Sequence, residues 1–491
     1  MVLDTLDRPP DPNGRCGREA YRRALSHTMY SVAATRKGFP SAPQSSGPKF
    51  ADGRWDAVET ASRDRLVELQ AKRLRWQVKR CFASSSLYRR KLEAAGAEPG
   101  DIRSPDDVIR LPVVTKEELR DDQAASPPFG SIAVAPESDW REVHPSTGTT
   151  GQPVNTIWTA ADVLTITDFT VRTLVQAGVR PGDVLQNAFA YGLWVAGMSC
   201  HYAAARLGCL VVPTGASVSS DKQIEFLLAA GSTALCATPS YAIHIGEVLA
   251  ARGISAGELS LRVGLFGGEP GAENPATRAA IESALGLSAH DYYGLAEVGP
   301  TFASECQAKE GLHFAEDHVL VEALDPGTRK PVAEGETGVL VFTHLTREGT
   351  PMIRYWSNDY ARLSREPCAC GRTHMRALGG IVGRHDDLII FKGTKFYLSQ
   401  VEKVIRSLAG LSSEFRIEIE RRDEEGVVSA CTVVAEHLGQ PNATVHEDLR
   451  RALRAELGVG IGVRLEALGS LERTTFKAKR IVETPSRRHA P

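Results

Sequence analysis

From Val154 to about residue 345 the apolar residues gather into short runs separated by stretches of helical spacing. Val184–Phe189, Leu210–Pro213, Ala234–Thr238 and Val263–Phe266 predict buried strands. Gly197–Leu207, Asp221–Ala230 and Ser240–Arg252 predict the helices between them. Strands spaced by helices imply βαβ crossovers and a parallel sheet covered on both faces. Upstream, Leu66, Leu69, Leu74, Val78 and Phe82 recur at helical spacing among Arg and Lys, the pattern of a core-facing amphipathic helix. Thr115 and Glu118 form the capping box that opens another. Downstream the style changes. A helix at Leu398–Ser407 leads to two alternating strands, one with Phe415, Ile417 and Ile419 on its apolar side, the other with Val428, Ala430, Thr432 and Val434. Asp423–Gly426 links them, and a helix at Thr444–Leu457 and a strand at Val463–Leu468 complete a small α+β unit.

The chain of 491 residues is too long for one core. It divides into a flexible extension at 1–53, rich in Pro, Gly, Ser and Arg, a large α/β domain at 54–384 with parallel-rich sheets flanked by helices, and a small α+β domain at 385–491. A net charge of −2 gives no field for nucleic acid or an anionic membrane. No apolar run reaches the roughly 18–20 residues of a membrane span, and the start lacks the apolar stretch of a signal peptide, so a cytoplasmic location is expected. Nine cysteines are scattered except for Cys368-x-Cys370, a spacing that suggests metal ligation or free thiols before disulfides.

Candidate chemistry begins at Ser146-Thr147-Gly148-Thr149-Thr150-Gly151-Gln152. Hydroxyls and glycines there can turn several donors toward one point, as phosphate oxygens require. A Walker loop would need lysine where Gln152 stands. Gly267-Gly268-Glu269-Pro270 follows the Val263–Phe266 run, and its glycines would let backbone approach a flat base. Phe189, Ala190, Tyr191, Gly192 and Trp194 suggest a flat apolar slot for an aromatic ligand, with His201 packed on the next helix. Cys306, His313, Cys368 and Cys370 make a candidate Cys₃His set for structural Zn²⁺, since four protein ligands leave no open position.

Four stretches occur in a recognisable order: Ser146–Gln152, then Tyr292-Tyr293-Gly294-Leu295-Ala296-Glu297, then Arg354-Tyr355-x-x-x-Asp359, then Gly383-Arg384-x-Asp386. Lys477-Ala478-x-Arg480 closes the series. From Trp55 to Thr484 the chain resembles the phenylacetate–CoA ligase family of adenylate-forming enzymes. The resemblance implies a small domain that moves on a hinge at Asp386, and an ATP-dependent ligase that joins an aromatic carboxylic acid to coenzyme A through an acyl-adenylate. It implies that Ser146, Thr147, Gly148, Thr149, Thr150 and Gly151 hold phosphate, Thr149 acting in catalysis. Gly268, Glu269, Pro270, Tyr292 and Tyr293 would hold adenine, and Gly294 would also bind the nucleotide. Glu297 would be a catalytic Mg²⁺ ligand. Asp359 would accept the ribose hydroxyls, and Arg384 would reach ribose or phosphate. Lys477 would bridge the acid carboxylate and the α-phosphate. Some relatives carry zinc at residues matching the Cys₃His set. The chain departs from the family at Trp356-Ser357-Asn358 and at Phe476, where glycine is usual. Two other readings use the same scaffold: delivery of the aryl group to a carrier-protein thiol, and a non-catalytic nucleotide-binding protein.

Overall fold

Strands form at Val184–Asn187, Leu210–Val212, Ala234–Ala237 and Val263–Phe266, and the helices Val195–Leu207, Ser220–Ala229 and Pro239–Ala251 return the chain between them. The computed structural model describes residues 53–146, 152–193, 195–384, 388–392, 394–422, 427–439, 443–472 and 480–484. These four strands pair in parallel, and Ser288–Leu295 joins as the next parallel neighbour. Leu185, Ala234, Leu235 and Phe266 are fully buried. Each large apolar side chain so placed contributes about 1.5–3 kcal/mol relative to exposure.

The sheet is parallel in that half only. Beyond Ser288–Leu295 it continues antiparallel through Gly299–Glu305, Leu312–Phe314, Arg376–Ala377, Tyr355–Ser364, Thr337–His344 and Val319–Leu324. The expected parallel strands are thus one half of a mixed sheet. The Ala296–Val298 connection is too short for the crossover of about a dozen residues that parallel pairing needs, so the chain must fold back as a hairpin.

Two helices at the start brace the antiparallel half. Arg63–Ser84 buries Leu66, Leu74 and Val78, with Leu69 and Phe82 half-buried at its margin. Lys116–Ala125 opens with the expected capping box: Thr115 Oγ1 accepts from the Glu118 amide at 3.3 Å, and the Glu118 carboxylate accepts from the Thr115 amide at 2.8 Å. Just before it, Val114 clips onto the strand Tyr355–Ser364. Its amide donates to the Arg354 carbonyl at 2.9 Å, and its carbonyl accepts from the Trp356 amide at 2.9 Å.

The small domain has its own sheet and core. Leu388–Phe391, Thr394–Tyr397, Leu411–Arg422, Val427–His437, Gly462–Glu466 and Ile481–Glu483 form the sheet, with the helices Leu398–Ser407 and Ala443–Leu457 packed on it. Phe415, Ile417 and Ile419 face that core as expected. On the partner strand the face is Val428, then Cys431, Val433 and Ala435. Ala430 and Thr432 are only half-buried, which corrects the expected alternation. Ala430 pairs with Glu420 and Val428 with Arg421, so Ser429 is an extra residue in the ladder. A one-residue bulge reverses the parity of every side chain beyond it. Among the described residues no helix is long and apolar enough to cross a membrane.

Candidate functional site

The hydroxyl-rich stretch joins the antiparallel strands Trp140–Pro145 and Asn155–Thr159. Ser146 is buried at its near end, where its amide donates to the Val154 carbonyl at 2.8 Å and its Oγ accepts from the Val154 amide at 2.9 Å. Thr147, Gly148, Thr149, Thr150 and Gly151 lie outside the described residues, as do Trp194, Asp386, Lys477 and Ala478.

A cleft of about 720 Å³, counting its open mouth, lies beyond the carboxyl ends of Val263–Phe266 and Ser288–Leu295, the place where open α/β sheets bind ligands. Gly268, Glu269, Pro270, Tyr292, Tyr293, Gly294, Asp359 and Arg384 all line it. Glu273, Asp291, Tyr397 and Ser399 line it too, without having been anticipated.

Asp359 is its most constrained group, with 1 % of its surface exposed. Tyr293 Oη donates to its Oδ2 at 2.5 Å, Arg384 Nη1 lies 3.2 Å from its Oδ1, and Ser357 Oγ meets its amide at 3.0 Å. Sheet pairing fixes this arrangement, because Asp359 and Arg384 are register partners. Asn358 takes φ +66° inside the strand, where the ladder register shifts, a conformation asparagine tolerates. Burial, and then Asp359 itself, push the Tyr293 phenol well above its ordinary range, so it remains a donor. Both carboxylate oxygens thus have protein partners.

Two adjacent glycines behave differently. A Cβ on Gly267 would sit 2.5 Å from the Tyr292 carbonyl oxygen, so protein packing demands that glycine. Gly268 has φ +88° and meets only Thr238 within 4 Å, so it is the one with open space before it. Glu269 accepts from the Ser240 amide at 2.9 Å, which fastens the turn to the start of the preceding Pro239–Ala251 helix.

Glu297 sits past the strand end with 4 % of its surface exposed. Lys116 Nζ is 2.9 Å from its Oε1, and the buried Tyr355 phenol faces the same carboxylate. The next residue is fixed by two buried donors, since the Val298 carbonyl accepts from His344 Nε2 at 2.7 Å and from Arg347 at 2.6 Å. Burial and then Arg347 hold His344 far below its usual pKa, and its Nδ1 accepts from the Met352 amide. The imidazole is therefore neutral with its proton on Nε2.

Phe189 and Tyr292 meet edge to face at 5.8 Å, both in the core between sheet and helix. Tyr191 Oη accepts from Asn187 Nδ2 at 2.9 Å and lies 3.2 Å from His201 Nδ1, so His201 supports the aromatic wall. The Ala190 carbonyl lies 2.2 Å from where a Cβ on Gly197 would stand, and Gly192 turns at φ +89°.

Cys306, His313, Cys368 and Cys370 converge although far apart in sequence, with all four ligand atoms within 4.8 Å of one another. The Cys306 and Cys368 sulfurs are 3.7 Å apart, and Cys370 Sγ lies 3.5 Å from His313 Nε2. A tetrahedral Zn²⁺ would set these separations at about 3.8 and about 3.5 Å. Gly371, at φ +78°, closes the Cys-x-Cys turn through its amide to the Cys368 carbonyl. A hydrogen bond from Cys306, and then His313, pull the Cys370 thiol downward toward thiolate. The donor set and its spacing fit the metal.

The chain matches the AMP-binding enzyme family over residues 66–346 and the AMP-binding enzyme C-terminal domain over residues 393–484. It is 39 % identical over 366 residues to a phenylacetate–coenzyme A ligase of Thermus thermophilus, covering 74 % of this chain and 80 % of that one. A 2-hydroxyisobutyryl-CoA ligase in the postadenylation state superposes with a TM-score of 0.83 at 29 % identity, over 91 % of this chain and 94 % of that one. The same ligase in its thioesterification state, bound to 2-HIB-AMP and CoA, superposes at 0.67 and 30 % identity over the same shares of both chains.

Proposed function

Since the chain belongs to the AMP-binding enzyme family, among the phenylacetate–coenzyme A ligases, we propose that it activates an aromatic carboxylic acid with ATP and passes the acyl group to coenzyme A. The observation that carries this reading is the buried Asp359 carboxylate, held between Tyr293 and Arg384 in the lining of the cleft beyond the strand ends. In the first step an acid oxygen forms a bond to the α-phosphorus of ATP. The bond from that phosphorus to the bridging oxygen breaks, and its electron pair leaves with pyrophosphate. The coenzyme A thiol then attacks the acyl carbon, AMP departs, and the thiol proton goes to solvent. Neither step needs a nucleophilic side chain; positioning and charge stabilisation suffice.

Adenine lies against Gly268–Pro270 and Tyr293, and ribose on Asp359. Lys477 enters with the small domain to bridge the two negative reactants, and Asp386 is the hinge on which that domain swings for the thiol step. Glu297 would hold Mg²⁺, which supplies charge neutralisation at the phosphates; a single hard carboxylate beside phosphate oxygens suits that ion. The Cys₃His set would hold a structural Zn²⁺. Phe189, Ala190, Tyr191, Gly192 and Trp194 form the acid's pocket, and apolar rings favour a planar aryl group over a short aliphatic one.

An ATP–pyrophosphate exchange assay across benzoates and phenylacetates tests the reading. Exchange with at least one aryl acid and little with acetate is expected. Faster exchange with acetate or a long fatty acid than with every aryl acid would overturn it.

A further inference from the structure

Lys116 occupies the first position of the Lys116–Ala125 helix. A cation there opposes the helix dipole, which favours anions in the first turn. Glu117 and Glu118 already serve that role. A residue that breaks a local rule without a local gain marks a place where function sets the choice. Here the ammonium, with 23 % of the side chain exposed, is turned inward to Glu297 at 2.9 Å. The pairing is ionic: Glu297 Oε1 is buried and receives no aligned hydrogen bond. Such a contact is readily exchanged when a ligand arrives with more charge.

The helix that carries Lys116 is fixed on both sides of the site. Val114 clips it to Arg354 and Trp356, beside Tyr355, which shares the Glu297 carboxylate. On the other side Arg120 Nε donates to the Gln152 carbonyl at 2.8 Å, and Gln123 Nε2 donates to the Asn155 carbonyl at 2.7 Å. Gln152 ends the hydroxyl-and-glycine stretch and stands where a Walker loop would carry its lysine. The helix therefore ties together the two pieces assigned to the phosphate end of the nucleotide, and presents its own lysine there.

We propose that Lys116 is a phosphate ligand: in the ATP complex its ammonium leaves Glu297 for the β- and γ-phosphate oxygens and stabilises the departing pyrophosphate. This rests on the ligase reading above. Negative charge accumulates on the bridging oxygen as its bond to the α-phosphorus breaks, and a compact cation on a flexible stem can follow it. Glu297 positions the ammonium until the nucleotide binds.

Calorimetry on the full chain, with inorganic pyrophosphate and with AMP as probes, tests this in unmodified protein, Lys116→Ala and Lys116→Arg. ATP–pyrophosphate exchange and thioester formation from preformed acyl-adenylate are followed in parallel. Pyrophosphate affinity in Lys116→Ala is expected to fall about tenfold or more, the worth of one charge-assisted hydrogen bond. Exchange should fall about 100-fold, as when one preorganised donor is removed. AMP affinity and adenylate consumption should hold, and Lys116→Arg should recover part of the loss. Unchanged pyrophosphate affinity in Lys116→Ala, with exchange intact in unmodified protein, overturns the assignment alone. Joint loss of AMP affinity, adenylate turnover and melting temperature, unrescued by arginine, makes Lys116 structural and also overturns it. No exchange by unmodified protein with any acid brings down the ligase reading and this assignment with it.

Discussion

Tyr292 and Tyr293 are neighbours on one strand, and strand alternation sends their rings to opposite faces. Tyr293 reaches Asp359, whereas the Tyr292 hydroxyl is buried with no partner. Tyr293→Phe strips a donor from a buried carboxylate, a loss of about 1.5–3 kcal/mol in any state that keeps it charged. It should weaken AMP binding about tenfold or more by calorimetry. Tyr292→Phe removes only an unsatisfied hydroxyl, so its melting temperature should stay level or rise, with AMP affinity unchanged. Equal losses in both variants would remove Asp359 from the nucleotide site. The motif around these residues was readable because its members lie close together in the chain. Lys116 was not: tertiary contacts such as the clip of Val114 on Tyr355 bring it to Glu297, and nothing local in either segment announces the other. Asp291 and Glu273 were missed for a related reason, since an acid beside a motif looks like an ordinary polar position until its burial is known.

Among elements, the parallel strands and their helices were legible to within a residue or two because period and length agree there. The two departures share a cause. A short connection reversed the strand direction after Ser288–Leu295, and one extra residue at Ser429 reversed a face. Both are single-turn events that average patterns do not carry. The junction between elements carries a titration as well. Glu273 is pushed up to about 7, first by withdrawal from water and then by Glu402 on the Leu398–Ser407 helix. Asp291 beside it is raised too, by burial and then by Glu273 and Glu305, with Arg278 opposing. An unfolded glutamate ionises near its ordinary value of about 4.3, so between there and about 7 the folded chain holds the extra proton. The stability Glu273 contributes is therefore complete below the lower value and is lost as pH rises through the upper one. Melting temperatures of Glu273→Gln should decline less than those of unmodified protein between pH 5 and pH 8. Parallel curves would show that this carboxyl does not titrate in that window.

At the scale of the whole molecule, the chain superposes more closely on the postadenylation form than on the thioesterification form, 0.83 against 0.67 over the same share of this chain. A metal on the Cys₃His set would act at this scale too. Cys368→Ser should lower both the metal content, expected near one zinc per chain by elemental analysis, and the melting temperature, because a lost ligand leaves the ion badly coordinated. Full zinc in the quadruple-substituted protein would refute the site. His313 and Cys368 bracket the arm from Val319 to Ser364, which holds Tyr355 and Asp359. An ion bound to both ends turns that arm into a closed ring. Ring closure acts on the unfolded chain, withdrawing conformations it would otherwise explore, by about 4 kcal/mol for a ring of this length if it behaves as a covalent cross-link does. The metal would thus guard the strand that carries Asp359 without touching it, by making the disordered alternative scarcer.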